Sequence, residues 1–129
     1  MLLPTTLCLT AAALLINFWL GMRCGQIRTK DKIGIGTGGN DLLERRMRAQ
    51  LNFIEQTPLT LLGVGLIEAA GKGGLWLAPL GAIFLLGRVA HGFGMDGNFK
   101  PGRAIGMVTG FALQLAVVVV AVYTVLQTR

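Results

Sequence analysis

The sequence predicts an all-α integral membrane protein, a bundle of four transmembrane helices in a single domain spanning residues 1–129. The first observation is length: the apolar runs Leu2 to Met22, Leu43 to Ala70, Leu75 to Gly94 and Arg103 to Leu126 each reach the roughly 20 residues that a helix needs to cross a bilayer. The second is composition. The chain is 53% hydrophobic and 14% charged, too apolar for a water-soluble domain of this size. The third is the placement of the cations, which sit almost entirely between the apolar runs. A net charge of +6 could suit nucleic acid, but this distribution suits topology and anionic lipid, so no nucleic-acid partner is expected.

The first run lacks the basic start of a signal peptide and exceeds the usual apolar length of one, so it is expected to be a retained span. The linker after it, Arg23 to Asp41, carries Arg23, Arg28, Lys30 and Lys32, with Arg45, Arg46 and Arg48 just beyond. The linker after the third run adds Lys100 and Arg103, whereas the connection between the second and third holds only Lys72. By the positive-inside rule the first and third connections face the cytoplasm and both termini lie on the non-cytoplasmic side. Arg45 and Arg46 are assigned to topology and lipid headgroups, and Trp19 and Trp76 to the membrane interface.

Gly34 to Gly39 reads Gly-Ile-Gly-Thr-Gly-Gly and satisfies the spacing of a dinucleotide fingerprint. That fingerprint needs a strand before it and an amphipathic helix after it. Its neighbours here are membrane spans, so the segment is expected to be a flexible turn, with Asn40 or Asp41 as N-cap of the next helix. Pro58 is expected to kink the second span. Gly102, Gly106 and Gly110 recur every fourth residue at the start of the last span and mark a close-packing face, against this chain or a neighbour. Cys8 and Cys24 are about 24 Å apart along one helix and cannot pair. One His and two distant Cys make no metal shell, and no metal is expected.

The second span organises the rest. It opens Arg45-Arg-Met-Arg-Ala-Gln-Leu-Asn-Phe-Ile-Glu-Gln-Thr-Pro58 and places Arg48, Asn52 and Glu55 at i, i+4 and i+7, along one helical face. Charges near the bilayer centre cost roughly 2.5 to 3.5 kcal/mol each on insertion scales, so such a stripe calls for a partner, a wet cleft or a ligand. At 1.5 Å per residue, Glu55 lies roughly 8 Å below the cytoplasmic boundary of a core about 30 Å thick. The same count puts Arg88 and Asn17 near the Glu55 layer, His91 beside Asn52 one turn nearer the cytoplasm, and Arg103 beside Arg48 at the rim. Polar groups from all spans are thus expected to converge in a cytoplasmic cavity. The alternative is structural: Glu55 pairs with Arg88 and joins helices, and His91 is a packing residue.

The stripe, the Gly-rich turn with Asn40, Arg88-Val-Ala-His91 and Arg103-Ala-Ile-Gly106 together resemble the MAPEG family, the membrane-associated proteins in eicosanoid and glutathione metabolism, over nearly the whole chain. The family includes microsomal glutathione transferases and the leukotriene and prostaglandin synthases akin to them. The resemblance implies a bacterial-type homotrimer in the inner membrane, with glutathione as co-substrate bound between subunits near the cytoplasmic face. It implies a transferase or peroxidase that activates the glutathione thiolate against lipophilic electrophiles or lipid hydroperoxides delivered by the bilayer. Carried onto this sequence, it assigns glutathione contacts to Arg48, Gln50, Asn52, Glu55 and His91, a contact from a neighbouring subunit to Arg28, and steadying of the thiolate to Arg103.

The charges match the ligand. Guanidinium groups pair with its two carboxylates and Glu55 with its ammonium, while a nearby guanidinium lowers the thiol pKa from about 8.5. Two positions depart from the family pattern: Gln56 and Met95 stand where many members have Tyr, and the sole Tyr is Tyr123. A non-catalytic member that binds lipid or a partner is therefore the first rival. A small multidrug exporter is the second, disfavoured because its essential Glu belongs in the first span, which here carries no acid.

Overall fold

The computed structural model describes residues 1–129 as four helices: α1 Pro4–Asp31, α2 Asp41–Ala69, α3 Leu77–Asp96 and α4 Gly102–Gln127. There are no strands. Three of the helices, α1, α3 and α4, are long and apolar enough to cross a membrane. The helix α2, read as a span from the sequence, is the more polar one: its first half carries Arg45, Arg46, Arg48 and Glu55.

The first helix also runs beyond its expected end, to Asp31 rather than Met22. The segment from Arg23 onward is polar, but it has no proline and only Gly25 to weaken it, so the helix propagates until Lys32 takes a left-handed conformation at φ 54°. Arg23 and Arg28 are therefore helical residues, not linker residues. At the other end Pro4 supplies the pre-set φ of a first-turn position. The carboxylate of Glu68 caps this end, accepting from the N–H of Thr5 and of Thr6 at 2.8 Å each and from the Thr6 hydroxyl at 2.7 Å.

Gly36, Gly38 and Gly39 adopt φ of 69°, 55° and 79°, so the Gly-rich segment is a left-handed turn between two helices. Asn40 then caps α2: its Oδ1 accepts from the N–H of Leu43 at 2.9 Å. Asp41 and Glu44 in the first turn suit the positive end of the helix dipole. Pro58 is accommodated inside α2, which continues for three further turns.

The core lies between α2 and α3, with α1 packed on one side of that pair and α4 on the other, around Leu9, Leu20, Phe53, Leu77, Phe84 and Leu113. The closest pairing is α3 with α4; α1 packs on α2 and α3 but not on α4. The glycine stripe explains the closeness and resolves which helix it meets. A Cβ built on Gly106 would lie 2.7 Å from His91 Cβ and 2.9 Å from the Gly87 carbonyl, and one on Gly94 would lie 2.6 Å from the Arg103 N–H. The partner is α3 of the same chain. Outward, α1 and α4 present Leu14, Leu15, Phe18, Val119, Val122 and Leu126, the kind of face that suits hydrocarbon.

Candidate functional site

The residues singled out from the sequence lie around α2 in three separate depressions. Between α1 and α2, a cleft of about 410 Å³ is lined by Cys24, Arg28, Glu44, Met47, Arg48 and Gln50, among others. Between α2, α3 and α4, a cleft of about 260 Å³ carries Asn52, Gln56, Arg88, His91 and Arg103. Glu55 lines a third, between α2 and α4, with Gln56, Thr60 and Gln114. Within the chain, then, Arg28, Arg48 and Gln50 are together, and Asn52, His91 and Arg103 are together. The two sets face different neighbours because the outward face of α2 divides them.

In the first cleft Arg48 is largely exposed and engages Glu44 one turn earlier, at 3.0 and 3.2 Å. A surface pair of this kind is worth a few tenths of a kcal/mol, about 0.3–0.5, so a ligand carboxylate could displace it at little cost. Arg28 reaches back to fasten the Gly-rich turn, donating to the Gly36 carbonyl at 2.9 Å. Cys24 is buried, with its thiol 3.9 Å from Gln50 Oε1.

The second cleft is different in kind, because no acidic residue lines it. Arg88 is only 4% exposed, yet its guanidinium meets no carboxylate. It donates to Asn52 Oδ1 at 2.6 Å and to the Gly106 carbonyl, and its Nε has no partner. The structural alternative, a pair of Arg88 with Glu55, does not form: the depth count was one turn off, and Asn52 is the residue that Arg88 meets. Glu55 is exposed and forms no ion pair within the chain. Arg103 is likewise exposed and unpaired. His91 is buried behind it against Gly106. Two guanidinium groups and an imidazole without an acid make a cleft that can hold an anion and stabilise developing negative charge.

The two departures from the family pattern have structural partners. Gln56 accepts from Gln114 Nε2 at 2.7 Å, and the same nitrogen lies 3.1 Å from the Thr60 hydroxyl. Met95 packs against the hydrophobic core.

Sequence reasoning missed one constellation, an ion cluster at the end of α3. Asp96, with its side chain 2% exposed, pairs with Arg23 of α1 and, at 3.1 Å, with Arg46 of α2. Arg46 also donates to the Arg23 carbonyl at 2.9 Å. Its assignment to lipid headgroups is corrected accordingly. Trp19 is part-buried, 5.2 Å from Phe93 between ring centroids and beneath the Arg23 guanidinium. One signal was available: Asp96 is the sole acid after Glu68 and falls just past the end of the third apolar run.

Comparison with known proteins agrees with this architecture. A model of the MAPEG family matches residues 6–123. An uncharacterized protein of Synechocystis sp. is 31% identical over 121 residues, an alignment that covers 92% of this chain and 85% of the relative. No solved structure matches the chain.

Proposed function

Since the chain belongs to the MAPEG family, a family of membrane proteins that includes glutathione-dependent enzymes, we propose that it is a membrane glutathione transferase or peroxidase. In this reading it holds glutathione and raises the thiolate fraction of that ligand for attack on a lipophilic electrophile or a lipid hydroperoxide. The active form is a homotrimer in a bacterial inner membrane, with the site toward the cytoplasm.

The observation that carries the reading is the acid-free cleft of Arg88, Arg103, His91 and Asn52. A buried guanidinium that meets no carboxylate is costly unless an anion arrives, and a thiolate or carboxylate is such an anion. The division into two clefts supports a site shared between copies: Arg28, Arg48 and Gln50 of one protomer close over Asn52, His91 and Arg103 of the next. Glu55, exposed and without a cation, is then free for the ligand ammonium. Within that site Arg103 stabilises the thiolate, because a cation beside a thiol favours its charged form. Arg48 and Arg28 take the carboxylates, where a forked guanidinium fixes orientation. The electrophile arrives from the bilayer, and the sulfur attacks its carbon while Arg103 holds the negative charge; as the S–C bond forms, the bond to the leaving group breaks and the charge departs with that group, which, where it is basic, takes up a proton. With a hydroperoxide, sulfur attacks the outer oxygen and the O–O bond breaks. The departing alkoxide takes a proton, and a second glutathione resolves the sulfenic acid to a disulfide and water.

Glutathione binding to the purified protein, beside Arg48→Ala and Glu55→Gln, tests the site. Weakening of about tenfold or more in each is expected; unchanged affinity in both removes the assignment. One observation favours a second reading, a non-catalytic lipid- or partner-binding member: Gln56 and Met95 supply no hydroxyl, and the Gln56 amide is already engaged by Gln114. Thiolate absorbance from bound glutathione, with no turnover of any electrophile, would select it.

A further inference from the structure

Of the polar side chains that line the acid-free cleft, only one can take up and release a proton near neutral pH. Arg88 and Arg103 keep their charge at any working pH, and the amides of Asn52 and Gln56 neither gain nor lose a proton. The one that can is His91.

The fold holds the His91 ring but does not use it. The residue is 8% exposed and lies against the glycine face of α4, where a Cβ on Gly106 would meet its own Cβ at 2.7 Å. Neither ring nitrogen forms a hydrogen bond within the chain, and neither is sealed. The buried side-chain nitrogens and oxygens that lack a partner belong to Asn17, Arg23, Thr57 and Arg88, so both imidazole nitrogens keep accessible surface. The depression that His91 lines is this cleft. Arg88 from its own helix and Arg103 from α4 share the cleft with it, and α2 adds only neutral amides. On the side of α1, Arg23 comes against Gly92 and is matched by Asp96. No carboxylate lines the cleft to hold the imidazole as a fixed cation.

Peroxidase chemistry in such a cleft has two protons to manage. Glutathione arrives as a thiol and must lose one; a hydroperoxide that breaks at the O–O bond leaves an alkoxide, a strong base that must gain one. Guanidinium groups stabilise both anions but exchange a proton with neither. We infer, on the reading of this cleft as a glutathione site, that His91 carries the proton from the thiol to the departing alkoxide and so suits the site to hydroperoxides. The imidazole accepts the thiol proton as the thiolate forms beside Arg103. Sulfur attacks the outer oxygen, the S–O bond forms as the O–O bond breaks, and the imidazolium gives its proton to the alkoxide. Glutathione sulfenic acid and an alcohol result, and His91 is neutral again. The second glutathione then converts the sulfenic acid to disulfide and water. An electrophile that releases a weak base, such as chloride, needs only the first half of this cycle.

Cumene hydroperoxide and chlorodinitrobenzene separate the two halves, with glutathione and the full chain in nanodiscs. Hydroperoxide turnover needs thiolate and imidazolium together, so its pH profile should be bell-shaped. Chlorodinitrobenzene turnover should instead rise to a plateau and hold it where the other falls. His91→Gln keeps a polar side chain that cannot act as acid or base. It should lower hydroperoxide turnover by about a hundredfold, with a far smaller loss on chlorodinitrobenzene and with bound thiolate still seen by its absorbance. Parallel pH profiles for the two substrates in the parent chain overturn the inference, and no variant has to fold for that result. So does an equal loss on both substrates in a His91→Gln chain that still binds glutathione. A parent chain that binds no glutathione removes the reading of the cleft itself, and the proton path with it.

Discussion

The guanidinium of Arg88 on α3 donates to the amide oxygen of Asn52 on α2 at 2.6 Å, and with its second nitrogen to the Gly106 carbonyl of α4, so that one buried cation ties three helices at the wall of the acid-free cleft.

Removing the amide should therefore be expensive. Asn52→Leu leaves a buried charge one hydrogen bond short, a loss of about 1.5–3 kcal/mol for bonds to charged groups. The double variant Asn52→Leu with Arg88→Met should recover much of it, because an apolar pair of similar volume avoids the desolvation of the charge. Thermal unfolding of the four proteins in detergent measures the coupling. Additive losses in the double variant would show that the two side chains act independently.

The ion cluster makes a sharper contrast. Asp96→Asn strands Arg23 and Arg46 without their shared carboxylate, and breaking a buried pair in this way costs about 3–5 kcal/mol. Asp41→Asn removes the partner of Arg45, but that pair has side chains 49% and 75% exposed and should change stability by about 0.5 kcal/mol or less. The same denaturation assay compares them. An Asp96 variant as stable as the Asp41 variant would dismiss the cluster as a structural element.

Glycines divide in the same way. Gly106→Ala places a methyl 2.7 Å from His91 Cβ, against backbone-anchored atoms that cannot swing aside, and should destabilise by about 1–3 kcal/mol. It should also perturb the cleft, since Gly106 supplies an acceptor to Arg88. Gly25→Ala meets nothing within 4 Å inside the last third of α1 and should stabilise by about 0.5–1 kcal/mol. Melting temperatures that move in the same direction for both would contradict the packing described.

How much of this was legible in the sequence differs by element. The number of helices, the Asn40 cap and the glycine face could be seen because each is written in local periodicity or local turn chemistry. The extension of α1 through Arg28 was not seen, because a polar helix and a polar linker look alike when hydropathy is the guide. The stripe of Arg48, Asn52 and Glu55 does share one helical face, but period alone does not say which neighbouring helix rises on each side of it, and so gave no hint that three depressions divide the set. Arg88 with Asn52, and Asp96 with Arg23 and Arg46, depend on the relative register of helices far apart in sequence. An error of a single turn exchanges one partner for another.

Arg103 offers the last test, because its role in the proposed chemistry and its role in the fold separate cleanly. It is exposed and forms no ion pair, so Arg103→Ala should leave stability within about 0.5 kcal/mol of the parent. Its effect on bound glutathione should be large. A cation within about 4–6 Å of an acidic group lowers the pKa by roughly one to three units, and removing it reverses that shift. The thiol then returns toward its free value of about 8.5, so less thiolate exists at neutral pH and the rate recovers only as the pH is raised. The expected signature is a pH-rate profile displaced to higher pH by about one unit or more, with a loss of roughly tenfold in turnover at neutral pH and a smaller change in glutathione affinity. Arg103→Lys keeps the positive charge and should restore most of the profile but not the forked geometry. A profile that stays in place for the alanine variant would mean that the thiolate is stabilised elsewhere in the cleft, with Arg88 as the remaining cation positioned to do it.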